Sequence, residues 1–361
     1  MSIAQLTGGT RDNVARMNEW PAVSVLMPVV NEEAYLADAA GAVLGQDYPG
    51  PIQLVVAVGP SKDRTAQIAA GLASQEPRLT VVDNPTGKIP AGLNIAMENA
   101  RFGIIARMDG HALMRPGYLR TGIAELVKTG AADVGGVMAA EGIGPFQQAV
   151  AWAMTSKVGV GSATWHTGGE PAPADSAYLG IYQRHAINNA GGWDETMLRA
   201  EDWELNYRIR SQGGLVWCTP ELQVTYRPRR TAKALASQYW HYGRWRRVVM
   251  REHPETASFR YLAPPGVAAA VTAGTLAGLA GLFTTPWLTL GFAVPVVYLA
   301  GVTAGSVLLS RNVKPSVRVR LPAVLAIMHL SWGAGFLLSP RGLHRAVLAG
   351  ERSLARSPSG Q

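Results

Sequence analysis

Residues 23–58 read VSVLMPVVNEEAYLADAAGAVLGQDYPGPIQLVVAV. The apolar run Val23–Met27 ends at Pro28 and predicts a short buried strand. Leu36, Ala39, Ala40, Val43 and Leu44 then recur at helical spacing. Asn31 is expected to cap that helix, with Glu32 and Glu33 in a first turn where the helix dipole favours acids. QDYPGP breaks the helix, and Ile52–Val58 predicts a second buried strand. The alternation continues downstream. GPSKDRT is a turn and cap before a helix over Ala66–Ser74, Leu79–Val82 is a third strand, and NPTGKIP is a loop. A helix over Ala91–Ala100 and a strand over Gly103–Met108 follow. Strands alternating with helices at this spacing predict an α/β, Rossmann-like domain with a mostly parallel sheet, whose ligands bind beyond the carboxyl ends of the strands. Three polar turns lie there: VVNEE, GPSKDRT and DGHA. Neither GxGxxG nor GxxxxGK[ST] is present, which argues against a dehydrogenase and a P-loop ATPase.

The fourth strand leads into IIARMDGHALMRPGYL, Ile104 to Leu119. If the strand geometry continues, its two-residue period puts Asp109 and His111 on one side of the strand end. Gly110 between them lets the backbone approach a ligand closely. A carboxylate and an imidazole held there suit a divalent cation, and such a cation suits a diphosphate. A polar turn with a chance Asp and His is the plain alternative.

Beyond the helical pattern Tyr118–Lys128, VGGVMA is strand-like and a helix is expected from Phe146 to about Val158. Residues 159–174 are rich in Gly, Pro and Ala and read as a mobile lid, with Trp165 and His166 as candidates to touch an acceptor. SAYLGIYQ is strand-like and GGWDE a turn. Glu201–Ser211 reads as a helix with acids at its start, Arg208 and Arg210 at its end, and Gly213-Gly214 as its stop.

The chain has 361 residues, 48% of them hydrophobic and 16% charged, with a net charge of +8. The apolar excess lies after Pro264, so a water-exposed part and a membrane part are both expected. Positive charge gathers between Arg227 and Arg251 and after Arg311, beside the apolar segments, which points to anionic lipid before nucleic acid. The single cysteine, Cys218, forms no internal disulfide and suits a reducing compartment. Residues 1–20 are polar without an apolar core and read as a flexible lead-in, not a signal peptide.

RPRRTAKALASQYWHYGRWRRVVMR, residues 227–251, mixes arginines with Tyr239, Trp240, Tyr242 and Trp245. That mixture suits helices at a membrane interface. Pro264–Phe283 and Pro286–Ser310 are long enough to span about 30 Å of hydrocarbon. Thr284-Thr285 between them implies a tight hairpin. Arg311, Lys314, Arg318 and Arg320 put the following loop in the cytoplasm. A third segment, Leu321–Leu338, either spans or lies in the interface.

Taken in order, these residues resemble glycosyltransferase family 2. The resemblance rests on VSVLMPVVNEE, then Ser61, Asp63 and Thr65, MDGH in place of DxD, GGWDE before Glu201-Asp202, and Gln238 with Tyr242-Gly243. It covers about residues 22 to 250. NP…N.A…ARxDxHA and the tail are most similar to bacterial exopolysaccharide enzymes of the succinoglycan type. The resemblance implies a GT-A fold and an inverting transfer from a nucleotide-sugar. It implies that Asp109 and His111 hold Mn²⁺ or Mg²⁺, with the imidazole favouring Mn²⁺, and that Asp202 is the base. Pro28, Asn31, Glu32, Ser61, Asp63 and Glu201 match donor-binding segments. Lys88, Asn94 and Arg107 are further candidates for phosphate or sugar, each equally readable as solvated or structural. Gln238 and Trp240 stand where processive synthases carry QxxRW. The spacing here, QYWHYGRW, favours a single-sugar transferase. One departure is the second strand's end, Val58-Gly59-Pro60, which lacks the family's usual aspartate and leaves the nucleotide open, with a UDP-sugar expected.

The expected organisation is a lead-in over residues 1–20, a catalytic domain over 21–226, interfacial helices over 227–263, membrane helices over 264–338 and a basic cytoplasmic tail over 339–361. The expected activity is sugar transfer, at the cytoplasmic face of the cell membrane, to a polyprenyl-diphosphate-linked saccharide in exopolysaccharide or cell-wall glycan synthesis. Two alternatives stay open. One is a polyprenyl-phosphate glycosyl synthase, which needs no base. The other is a non-catalytic membrane scaffold with a relic nucleotide fold.

Overall fold

The computed structural model describes residues 19–161 and 168–348. Trp165, His166, most of the lead-in and the end of the tail therefore lie outside the described residues. The elements run β1 (Val23–Val29), α1 (Leu36–Leu44), β2 (Ile52–Val58), α2 (Thr65–Gln75), β3 (Leu79–Asp83), α3 (Ile89–Glu98), β4 (Ile104–Arg107), α4 (Tyr118–Thr129), β5 (Asp133–Ala140) and α5 (Pro145–Met154). They continue with β6 (Ala172–Pro173), β7 (Tyr178–Gln183), α6 (Arg184–Ala190), α7 (Glu201–Ser211), β8 (Val216–Tyr226), α8 (Ala232–Glu252), α9 (Phe259–Gly281), α10 (Ala293–Leu309) and α11 (Leu321–Leu337). The chain forms two compact units. The first holds residues up to 139 and 168–226; the second holds 140–167 and 227 onward.

In the first unit eight strands form one sheet in the order β3-β2-β1-β4-β7-β5-β8-β6. The neighbours β3, β2, β1 and β4 pair in parallel, whereas β7 runs antiparallel to both β4 and β5. β1 and β2 are buried along their whole length, because helices cover both faces, and a strand covered on both sides is apolar at every position. Val25, Met27, Leu54 and Val56 enter the core on one face, while Leu26, Val55 and Ala57 join Leu93, Ile187 and Leu205 on the other. Ser24 and Gln53 are the polar exceptions in these strands; Ser24 Oγ donates to Gln53 Oε1 at 2.8 Å, and the Arg101 amide also donates to that oxygen.

The second unit is helical. Residues 264–283, 286–310 and 321–338 were the expected apolar segments, and three helical stretches are long and apolar enough to cross a membrane: Phe259–Gly281, Pro286–Leu309 and Pro315–Leu337. The first two fold back on each other through a turn at 282–285. A Cβ at Gly274 would lie 2.7 Å from the Gly291 oxygen, and one at Gly278 would strike the Phe292 ring. Small residues let these helices touch backbone to backbone. Their outer surface exposes Leu276, Leu279, Leu290, Val296, Val297 and Leu308. Helix α8 packs on α11 as closely, with a Gly243 Cβ position 1.9 Å from the Trp332 oxygen and a Gly335 Cβ position 2.1 Å from the Trp240 oxygen.

Candidate active site

Strand β4 ends at Arg107, one residue before the expected Met108, and Asp109–Ala112 form a turn closed by the Ala112 amide on the Asp109 oxygen. The two-residue period of a strand therefore does not set the directions of Asp109 and His111. Arg107 orders the site instead. Its guanidinium is buried, and Nη2 donates to Asp109 Oδ1 at 3.2 Å and to Glu201 Oε1 at 3.0 Å, while Nη1 pairs with Asp202 Oδ2. Burial opposes its charge, but Asp202, Asp109 and Glu201 outweigh that and hold it protonated well above the ordinary arginine range. Burial pushes the Glu201 carboxyl up, Arg107 pulls it down, and the Asp202 charge adds to the rise. One buried cation thus faces three carboxylates, which leaves a surplus of negative charge. Of the two sequence readings of Arg107, a phosphate or sugar contact and a structural hydrogen bond, the structure displays the ion pairs to Asp109, Glu201 and Asp202.

Asp202 is held from its other side as well. Trp193 Nε1 donates to Asp202 Oδ1 at 3.2 Å. Asn94, expected at the donor, grips the Trp193 backbone: the Trp193 amide donates to Asn94 Oδ1 at 2.9 Å, and Asn94 Nδ2 donates to the Trp193 carbonyl at 2.8 Å and to Glu195 at 3.1 Å. Gly191 and Gly192 stand at φ +86° and +78°, a backbone open to glycine at little cost, and they deliver Trp193 to this clasp. The residue before the acidic pair, Ala200, also has a left-handed backbone at φ +63°. Such a residue persists only where its surroundings hold it, and here it turns the chain so that Glu201 and Asp202 open α7 beside Arg107.

The VVNEE and SKDRT turns clasp each other. Asn31 does not cap α1, which begins at Leu36; at φ +57° it turns outward, its amide donating to Ser61 Oγ at 3.0 Å and its Oδ1 accepting from the Lys62 amide at 2.8 Å. The Glu32 amide donates to Thr65 Oγ1, and the Glu33 amide to Asp63 Oδ2. Asp63 also accepts from the Thr65 hydroxyl and amide, and these donors, the hydroxyl first, draw its carboxyl below the usual range. Ser61 and Asp63, expected at the donor, spend these hydrogen bonds on the two turns. Pro28 lies in β1 opposite Ala57, and Lys88 precedes α3, its carbonyl accepting from Asn84 Nδ2.

Glu32 reaches across to His111, with Oε1 2.9 Å from Nδ1. Gly110 makes that possible, since a Cβ there would lie 2.5 Å from Val29 Cγ1 and 3.3 Å from Glu32 Cγ. The absence of a side chain at Gly110 thus lets the turn lie against Val29 and Glu32. Gln238 and Trp240 lie on α8, in the second unit, where Gln238 Nε2 donates to the Tyr242 hydroxyl at 2.9 Å.

Two residues of the site were not singled out from the sequence. Trp193 stands inside the GGWDE turn, and its indole N–H is the only sign of its use. Asp133, at the start of β5, is fully buried. Burial drives its carboxyl well above the ordinary range; the neighbouring Asn206 side chain opposes that rise and the Asp202 charge adds to it.

The His111–Glu32 pair and the Asp109–Arg107–Asp202 bridge thus lie just beyond the carboxyl ends of the interior strands β1 and β4. Residues 24–191 match the model of glycosyl transferase family 2. The succinoglycan biosynthesis protein ExoA of Rhizobium meliloti (strain 1021) is 30% identical over 315 residues, covering 86% of this chain and 93% of its own. The chain belongs to glycosyltransferase family 2. The Methanococcus voltae dolichyl N-acetyl-alpha-D-glucosaminyl phosphate 3-beta-D-2,3-diacetamido-2,3-dideoxy-beta-D-glucuronosyltransferase is 20% identical over 239 residues, 64% of this chain and 74% of that one. Among solved structures, the mannosyltransferase PcManGT from Pyrobaculum calidifontis, in complex with GDP-Man and Mn²⁺, superposes with a TM-score of 0.55 at 17% identity, covering 91% of this chain and 92% of that one. The fold of this glycosyltransferase is thus GT-A: a mixed sheet, parallel through β3-β2-β1-β4, with helices on both faces. A relic scaffold is the reading this membership sets aside.

Proposed function

We propose that this glycosyltransferase moves a sugar from a nucleotide-sugar, a UDP-sugar first, to a membrane-held, polyprenyl-diphosphate-linked saccharide, with inversion and with a divalent cation. The observation that carries the reading is the single guanidinium of Arg107 shared by Asp109 and Asp202. Asp109, read as a metal ligand, and Asp202, read as the base, share one ion-pair network, which supports the reading.

The residues fit a cation. Among the described residues no group of three His, Cys, Asp or Glu is placed to hold a metal, so a cation here would have two protein ligands, Asp109 and His111, and not a cage. That suits Mn²⁺ or Mg²⁺, which take their remaining positions from substrate phosphates and water. Asp109 would supply an oxygen and His111 a nitrogen. A carboxylate on one ring nitrogen fixes a metal-bound imidazole's tautomer and orientation, and Glu32 is on Nδ1. When bound, the cation offsets the charge of the leaving diphosphate.

Asp202 takes the proton of the acceptor hydroxyl as that oxygen attacks the anomeric carbon from the face opposite the nucleotide. Arg107 and Trp193 hold its carboxylate in one orientation, and a single displacement inverts the anomer. The second unit keeps the enzyme at the bilayer that carries its acceptor, where tethering raises the effective concentration. The names of ExoA and of the dolichyl-phosphate enzyme support a glycan-building, lipid-linked role.

The test is a thermal-shift screen of UDP-, GDP- and dTDP-sugars on the full chain, with and without Mn²⁺. At least one donor should stabilise wild type in a metal-dependent way, and Asp109→Ala should abolish the shift. Stabilisation by no donor overturns the reading. Asp202→Asn discriminates the acceptors: it should stop transfer to a saccharide hydroxyl, whereas transfer to a lipid phosphate needs no base and would survive.

A further inference from the structure

Three arginines meet at one rim of the second unit. Arg247 and Arg251 lie a helical turn apart on α8. The Arg251 guanidinium donates to the Ser339 and Pro340 carbonyls, both at 2.8 Å, just past the end of α11. Arg341 follows Pro340 directly, and Arg247 lies over the Phe336 ring, 4.8 Å from its centroid. Burial, then the charges of Arg247 and Arg341, weaken the proton affinity of Arg251. Among the described residues none of the three forms an ion pair with a carboxylate. Glu252, the nearest acid in sequence, pairs with His344 at 3.4 Å.

Like charges gathered without a counter-charge are costly unless an anion completes them. Two features define that anion. The rim lies where α11 ends and α9 begins, since Arg246 stacks on Tyr261 at 4.0 Å and a Gly333 Cβ would strike the Pro264 oxygen. Exposed apolar side chains stand at these two helix ends: Leu337 at 51% and Leu338 at 67% exposure lead into Ser339, and Phe259 at 85% opens α9. A free phosphate would use the arginines and leave these side chains in water. A lipid phosphate uses both, its headgroup on the cations and its chain along the apolar helices.

We infer that Arg247, Arg251 and Arg341 form a binding site for a lipid phosphate at the rim of the apolar helices. The inference rests on the proposed reading only in taking those helices to be bilayer-embedded. The site is built from two distant segments, α8 and the residues that follow α11, and is not a diffuse positive surface.

The experiment measures retention of dioleoyl phosphatidic acid by the full chain in neutral detergent, by native mass spectrometry, against dioleoylphosphatidylcholine and inorganic phosphate. Wild type should retain the anionic lipid selectively. Each arginine near a membrane surface strengthens anionic binding about fivefold, so the double variant Arg247→Gln/Arg341→Gln should weaken retention by about 25-fold. That pair carries the test because Arg251 also clamps the chain end at Ser339 and Pro340. Retention equal to wild type in the double variant overturns the site, as does displacement by equimolar inorganic phosphate, which would mean the chain contributes nothing. Asp109→Ala should retain the lipid as wild type does while losing metal-dependent donor binding, so failure of the sugar-transfer reading and failure of this site are seen separately.

Discussion

Trp193 donates its indole N–H to Asp202 Oδ1 at 3.2 Å, and Asn94 fixes the Trp193 backbone through both its amide and its carbonyl. The base of the proposed reaction is thus oriented by a tryptophan, itself 2% exposed and packed edge-on against Tyr182. A hydrogen bond to a charged group contributes about 1.5–3 kcal/mol. Trp193→Phe keeps most of the packing and removes the donor. Transfer is expected to fall about tenfold or more, with donor affinity by thermal shift unchanged; equal loss of both would mean that Trp193 only supports the fold.

Arg107 is the one cation on three carboxylates, and removing one partner of a buried ion pair costs about 3–5 kcal/mol. Arg107→Met should lower the Tm of the full chain sharply. Arg107→Lys should recover only part, because an ammonium cannot present the planar fork that reaches Asp109, Glu201 and Asp202 together. A Tm within about 1 °C of wild type for Arg107→Met would show that the network contributes little.

Asp133 gives a pH signature. Burial raises its folded-state carboxyl well above the ordinary aspartate value, so the folded chain binds this proton more tightly than the unfolded chain does. Stability is therefore lost as pH rises past the unfolded value of Asp and toward the folded one, at up to about 1.4 kcal/mol per pH unit from this group. Asp133→Asn is neutral throughout and escapes that loss. The Tm difference between variant and wild type should grow in the variant's favour from pH 5 to pH 8; a constant difference would refute the assignment.

Gly335 lies where α11 crosses α8, and a Cβ there would fall 2.1 Å from the Trp240 carbonyl. Gly335→Ala must push the two helices apart, at an expected cost of about 1–3 kcal/mol. Gly342, with open space at its Cβ position, is the control: Gly342→Ala should leave Tm nearly unchanged.

Several features are legible in the sequence alone. The strand–helix alternation yields the parallel half of the sheet because β1 and β2 are buried on both faces and must be apolar throughout. Asp109, His111 and Glu201-Asp202 stand out because acids and histidines at strand and helix ends are chemically distinctive in any context. Asn31 misled, since the same residue type that caps a helix also adopts a left-handed turn. The energies of two local hydrogen-bonding patterns differ too little for spacing to choose between them.

By itself, the order of residues determined the fold class, the apolar C-terminal segments and the identity of the acids, because burial periodicity and residue chemistry are local. Only the tertiary structure decided how those acids are used. Arg107 and Asp202 are distant in sequence, as are Asn94 and Trp193, and Arg251 reaches the Ser339 and Pro340 carbonyls from another helix. Ion pairs and hydrogen bonds depend on distances of about 3 Å, and a chain sets such distances between remote residues only when its core packs.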